Sequence, residues 1–237
     1  MKPGEVFGPV ETGLLAGGHF GTHPYCVSCG AVEPCYLWLR EMPSMHWSGL
    51  FKEDVARYRE YGGKNSAVLI LTQQGLWALL PYRMASGIYQ GKMPRIIKRP
   101  LLLLFTVWEK CVEVVTGISL PYTAQIGRGF YIGHFGNIII NGDAVIGDEC
   151  NISQGVTIGI SGRKERRGVP RIGSRVYIGA NATVTGRITI GDGAVIGANS
   201  LVTSDVPPGV TVVGVPASIF SDKDSSDYLH PSGRDSR

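Results

Sequence analysis

The sequence predicts a mainly β fold, a parallel β-helix wound from six-residue repeats and preceded by a small α-helical domain. Three observations predict it: large aliphatic residues recur at a step of six through 126–202, Gly repeatedly follows them, and helical periodicity is confined to the residues before them. With 237 residues, 43% of them hydrophobic, the chain can hold one large domain or two modest ones around a real core. The formal charge of +4 is mild and, apart from one cluster, scattered, so nucleic-acid binding is not the default reading.

Residues 1–45 are rich in Gly, Pro, Cys and His and show no sustained period, so they read as a poorly ordered leader. Cys26, Cys29 and Cys35, with His23 upstream, have the residue types of a zinc site, but no second pair completes a tetrahedral set, and no metal is expected. Five cysteines, an odd number without even spacing, fit a reducing compartment better than a disulfide framework. No signal-peptide pattern opens the chain, and the greasiest stretches fall short of the roughly 20 apolar residues that span a bilayer. The expectation is a soluble cytoplasmic protein.

Residues 46–117 read as the helical domain. Phe51, Val55 and Tyr58 recur at helical spacing, and 69–89 and 96–115 read as two further helices separated by a Gly-Lys-Met-Pro turn. Lys92, Arg95, Lys98 and Arg99 stand beside Leu101 to Leu104. That pairing fits peripheral contact with an anionic membrane, or an ordinary helix packing on its neighbours or on another subunit.

Residues 118–220 carry the repeat. Aliphatic side chains stand at Ile126 and Ile132, at Ile140, Ile146, Ile152 and Ile158, and at Ile172, Ile178, Val184, Ile190, Ile196 and Val202. Four residues after many of them comes a small or β-branched residue such as Ala144, Cys150, Val176 or Ala182. Each six-residue unit supplies one short strand and a corner, and three units close a triangular coil with the aliphatic residue pointing inward. Coils then stack at strand spacing, and Gly or Asn at the corners takes positive φ without strain. The rhythm slips twice: the step from Ile132 to Ile140 is eight instead of six, and that from Ile158 to Ile172 is fourteen instead of twelve. Insertions in a repeat array become surface loops, where function concentrates. The first slip holds His134; the second holds a basic loop from Ser161 to Val169. Residues 221–237 are polar and aperiodic and read as a disordered tail.

Five motifs carry a family resemblance: Ile126-Gly-Arg-Gly, Gly133-His134, Gln154-Gly-Val-Thr-Ile-Gly159, Ile178-Gly-Ala-Asn-Ala182 and Gly214-Val-Pro-Ala217. Through them, residues 65–220 resemble the serine acetyltransferase group of hexapeptide-repeat acyltransferases. The resemblance implies left-handed winding, acetyl-CoA as acetyl donor, and a homotrimer, or a dimer of trimers through the helical domain, with active sites between subunits. It implies His134 as catalytic base, taking a proton from the acceptor hydroxyl and returning it to the CoA thiolate. Backbone N–H groups near Gly159 are candidates for the oxyanion site. Gly179, Ala180, Gly197 and Ala198 offer a flat wall of small residues to the pantetheine arm, and Ser161, Arg163 and Lys164 lie in the basic loop that would meet the phosphates. Pro216 closes the site in the family manner. Asn137 and Asp143 are candidates for the acceptor, and with Ser119 for orienting His134.

Three departures bear on the acceptor. Gly133 replaces the family's Asp before the catalytic His, Gly168 and Val169 replace its Arg-His pair, and Ser119 stands where the acidic partner falls. A serine zwitterion needs fixed countercharges. The sequence is therefore read as an O-acetyltransferase of a sugar hydroxyl in polysaccharide or glycan biosynthesis, with L-serine O-acetylation as the alternative and a non-catalytic scaffold as a second. A metal-dependent carbonic anhydrase on the same coil is disfavoured, because His134 is the sole histidine within the repeats.

Overall fold

The computed structural model describes residues 46–63 and 65–229. The leader, its Cys26–Cys29–Cys35 cluster and residues 230–237 lie outside the described residues. The described residues all fall in one compact unit.

Four helices come first. Helix α1 (Trp47–Gly62) buries Asp54, Val55, Arg57 and Tyr58 and stops at Gly63, whose left-handed φ of 58° lets its N–H reach the Arg59 carbonyl. Helix α2 (Ser66–Thr72) is capped by Asn65, whose side chain accepts from the Ala67 N–H at 3.0 Å. Helix α3 (Gln74–Gln90) buries Leu76, Leu79 and Tyr82, and α4 (Arg95–Thr116) ends on left-handed Gly117. The single helix expected over 69–89 is in fact broken at Gln73, whose backbone is extended at φ −102° and ψ 108°. The break is bridged by Trp77, which donates Nε1 to the Ile70 carbonyl at 2.7 Å.

The repeats form a parallel β-helix. Fourteen short strands (β1, Ile118–Ser119, through β14, Thr211–Gly214) fall into three parallel sheets, and antiparallel β15 (Ala217–Ser221) closes one of them. Sheet A stacks β1, β4 (Ile138–Ile140), β7 (Thr157–Gly159), β10 (Thr183–Thr185) and β13 (Leu201–Val202). Sheet B stacks β2 (Gln125–Ile126), β5 (Val145–Ile146), β8 (Arg171–Ile172) and β11 (Thr189–Ile190). Sheet C stacks β3 (Tyr131–Ile132), β6 (Asn151–Ile152), β9 (Tyr177–Ile178) and β12 (Val195–Ile196), followed by β14. The pairing register aligns the inward residues in columns: Ile132, Ile152, Ile178, Ile196 and Val212 stack in sheet C, each 3% exposed or less. Ala144, Cys150, Val156, Val176, Ala182 and Ala194 fill the corners between such columns and are fully buried. Each sheet covers one side of the prism with side chains alternating inward and outward, as the period of two within a strand requires.

The pairing corrects the size of the second slip. β7 and β8 are consecutive strands, so Ile158 to Ile172 is a single step of six lengthened by eight residues, not two steps lengthened by two. A count along the chain cannot separate a missed strand from an insertion; the strand partners can.

The helices dock on the first coils through buried polar contacts. Arg83 on α3 donates Nε and Nη2 to the Asp54 carboxylate at 2.8 and 2.9 Å, and Nη1 and Nη2 to the carbonyls of Ile126 and Gly127 at 2.7 and 2.6 Å. Asp54 in turn accepts the Phe130 N–H at 2.9 Å. Burial alone would lower the Arg83 guanidinium, but the carboxylate beside it holds it above its ordinary range. Tyr58 and Tyr82 each bridge α-helix to coil, donating to the carbonyls of Ile132 and Ala124.

The expected disordered tail is corrected over residues 221–229. β15 runs to Ser221, and a short helix α5 (Ser226–Leu229) follows. Ser225 N–H reaches the Gly193 carbonyl at 2.9 Å, Tyr61 donates to the carbonyls of Tyr228 and Leu229, and Tyr228 stacks on Tyr177. Leu229 is thereby 2% exposed, so a polar sequence is held by partners on α1 and sheet C.

Candidate active site

The three edges of the prism decide which candidate residues can meet. His134 lies on the edge where sheet C turns into sheet A. In the pairing register, positions two residues past the inward aliphatic of sheet C form one column: His134, Gln154, Ala180 and Ala198. One position earlier stand Gly133, Ser153, Gly179 and Gly197. The corner residues of this edge are joined by backbone bonds, from Gly155 N–H to the Gly136 carbonyl, Asn181 to Gln154 and Asn199 to Ala180, at 2.8 to 2.9 Å, and at the far end Ser200 Oγ accepts the Gly214 N–H at 3.1 Å. Asn137, Asn181 and Asn199 take left-handed φ of 51–57° there, a conformation Asn tolerates better than most side chains. Asn137 is thus a turn residue directly beneath Gly155, two positions beyond the exposed Phe135.

His134's corner is two residues longer than those stacked on it, because Ile139, not Ile138, pairs with Thr157. His134 is exposed and, among the described residues, has no hydrogen-bond partner. At the far end of the same edge the chain turns back through Gly214, Val215 and Pro216, with a cis Val215–Pro216 bond. Four coil spacings separate the two ends, about 19 Å at the usual ~4.8 Å between strands.

The four small residues expected on a flat wall stand instead on this edge. Gly179 and Gly197 are small for the coil's own sake: a Cβ would fall 2.7 Å from Ala198 N at the first and 2.6 Å from Val213 Cγ1 at the second. Ala198 is exposed and meets no such demand, so its size leaves open space over the edge.

Other candidates lie on the edge where sheet A turns into sheet B. Asp143 sits there in a turn closed by its N–H to Asn141 Oδ1 at 3.0 Å, with β4 between it and His134. In one chain it therefore does not orient His134. Gly159 ends β7 on the same edge, and the inserted loop leaves from it. Ser161 and Gly168 exchange backbone bonds of 3.1 and 3.0 Å at its base, and a 3-10 turn, Lys164–Arg166, forms its tip. Ser161, Arg163 and Lys164 are exposed. Gly168 packs so closely on Arg187 that a Cβ would sit 2.8 Å from the Arg187 Cβ. His134 and the basic loop thus flank opposite sides of sheet A. Ser119 is on β1 of that sheet, opposite Ile139.

Cys150 is not a nucleophile. Burial pushes its thiol up to about 12, and its Sγ donates to the Gly173 carbonyl at 3.1 Å inside the coil. The sequence reading missed Ser153 and Gln154, which complete the column between His134 and Ala180. Counting eighteen residues per coil with the two insertions removed would have found them.

A family model described as bacterial transferase hexapeptide (six repeats) matches residues 170–204. A serine acetyltransferase of Helicobacter pylori strain J99 is 36% identical over 158 residues, which are 67% of this chain and 88% of the relative. This chain belongs to the serine acetyltransferase family. A member from Synechococcus elongatus is 35% identical over 68% of this chain, which spans only 63% of that longer relative. Among solved structures, the Neisseria gonorrhoeae serine acetyltransferase in complex with serine superposes with a TM-score of 0.64 at 32% identity, over 74% of this chain and 69% of that one. The Brucella abortus serine acetyltransferase in complex with coenzyme A gives 0.64 at 27%, over 75% and 69%.

These findings overturn the reading of a sugar acceptor, because the named relatives are serine acetyltransferases, the expected alternative. The departures at Gly133, Gly168 and Val169 were given too much weight. Countercharge is a property of a site rather than of one position, and Arg166 and Arg167 stand immediately before Gly168 in the same loop.

Proposed function

We propose that this acyltransferase moves an acetyl group from acetyl-CoA to the hydroxyl of L-serine, with His134 as general base. The observation that carries the proposal is the single edge on which the exposed His134 heads a column that runs through Gln154 to the small Ala180 and Ala198. The family membership, with relatives named for serine acetylation, supplies donor and acceptor. His134 accepts the hydroxyl proton as that oxygen attacks the thioester carbonyl. A new C–O bond forms, the C–S bond breaks, and His134 returns the proton to the departing sulfur. The open edge over Ala180 and Ala198 fits an extended thioester arm, with Pro216 at its far end. Arg163 and Lys164 fit the donor's phosphates.

Because the loop and His134 flank opposite sides of sheet A, the loop of a second subunit is needed to bring cations to the histidine edge. This supports sites between subunits, as in the homotrimer of left-handed coils that the resemblance implies, with Gly159, Ser161 and Asp143 approaching from the neighbour. Free Cys111 and Cys150 fit a reducing, cytoplasmic setting. The test is serine-dependent thiol release from acetyl-CoA by the purified chain. The expected result is saturable turnover of L-serine, abolished by His134→Ala. Thiol release that ignores added L-serine would refute the acceptor, and release undiminished by His134→Ala would refute the base.

A further inference from the structure

Helix α4 carries an apolar face that nothing in the described chain covers. Its inward side holds Phe105 and Thr116, 8% and 2% exposed. On the outward side, Ile96, Leu103, Leu104, Val107, Val114 and Val115 are 55–86% exposed and lie on two adjacent helical lines. Trp108, 39% exposed, sits at the margin of this face. Twenty-two residues make the helix about 33 Å long. No helix among the described residues is long and apolar enough to cross a membrane.

The charges are one-sided. Lys92, Arg95, Lys98, Arg99 and Lys110 stand on or just before α4, against only Glu109 and Glu113. Glu113 is held by Lys110 at 2.7 Å. Burial pushes the Glu109 carboxyl up to about 7, so it carries only part of a negative charge at neutral pH. Arg95 and Arg99 border a shallow cleft floored by Ile96. A wide apolar face flanked by cations, with an aromatic at its margin, is the pattern of a helix lying in a lipid interface.

We propose that α4 docks this protein flat on an anionic lipid surface, its apolar face in the acyl boundary and Lys92, Arg95 and Arg99 on the lipid phosphates. Lys98 is already held by the Gly91 carbonyl at 3.2 Å. A second copy fits less well. A two-helix seam uses one narrow stripe, and the exposed face here is two stripes wide. An antiparallel copy would also bring Arg95 and Arg99 to an end where Glu113 is already paired with Lys110.

The test is co-sedimentation of the full chain with phosphatidylglycerol–phosphatidylcholine vesicles and with phosphatidylcholine vesicles, alongside sedimentation velocity without lipid. Binding to the anionic vesicles is expected, weakening as salt rises, and binding to neutral vesicles should be much weaker. Arg95→Gln with Arg99→Gln should reduce partitioning by roughly fivefold per cation. Leu103→Glu, at an exposed position, should abolish partitioning while thiol release in solution stays unchanged. Equal binding to both vesicle types, or competition by free glycerol phosphate, would overturn the lipid assignment. No vesicle binding would overturn it as well, and if Leu103→Glu then reduced the oligomer's size, a second copy would be the occupant.

Discussion

Two edges of one prism share a backbone and differ in what their side chains do. Where sheet B turns into sheet C, the coils are tied by side chains. Asp192 Oδ1 accepts the Ser174 N–H at 2.8 Å, Ser174 Oγ the Asp148 N–H at 3.2 Å, and Asp148 Oδ1 the Arg128 N–H at 3.0 Å. The head of that ladder is clamped by Asp54 and Arg83 through Ile126, Gly127 and Phe130. Where sheet C turns into sheet A, the corresponding positions hold Gln154, Ala180 and Ala198, whose side chains tie no coil to the next. Backbone bonds join the corners, with a side-chain bond, Gly214 N–H to Ser200 Oγ at 3.1 Å, at the far end. Both edges have residues at left-handed φ, Glu149 and Arg175 on one and Asn181 and Asn199 on the other. The difference lies in satisfaction: one edge has consumed its own hydrogen-bonding capacity, and the other, over Ala180 and Ala198, has not. Under the proposed function the first edge holds the coil and the second binds the donor, without a change in the path of the chain.

The comparison can be broken from either side. The largest effect belongs to the binding edge: His134→Ala should slow acetyl transfer by about 10²–10⁴-fold with an unchanged melting temperature, read by thiol release and calorimetry. On the holding edge, Asp54→Ala strands a buried guanidinium and should cost about 3–5 kcal/mol in a denaturant melt. Asp192→Ala leaves the buried Ser174 N–H without its acceptor and should cost about 1–2 kcal/mol, with no change in the KM for acetyl-CoA. Arg163→Ala or Lys164→Ala, on an exposed loop, should raise that KM by only about two- to fivefold each, and less at high salt.

The coil was legible because its determinant is local and periodic. Ile140, Ile146, Ile152 and Ile158 sit six apart and are each 2% exposed or less. The true length of the second insertion was not, since it depends on β7 and β8 being successive strands. Nor was the tail's order, which rests on Tyr61 reaching a carbonyl 168 residues away. The break at Gln73 lies in a polar Thr72-Gln-Gln-Gly75 interruption of the apolar run, which the exposed face of one continuous helix could equally carry. At the site, His134 was visible as a residue at a slip and in a motif. Its separation from Asp143 was not, because nine residues along the chain turn out to include a whole strand and a different edge. The acceptor was misread because three substituted positions were allowed to outweigh a match extending over most of a relative.

The most direct test of the two-edge account is Ala198→Trp, because this side chain is exposed and packs nothing the coil needs. The account predicts a rise of tenfold or more in the dissociation constant for acetyl-CoA, roughly 1.4 kcal/mol or more, at an unaltered melting temperature. Unchanged acetyl-CoA affinity in a folded Ala198→Trp protein would contradict it.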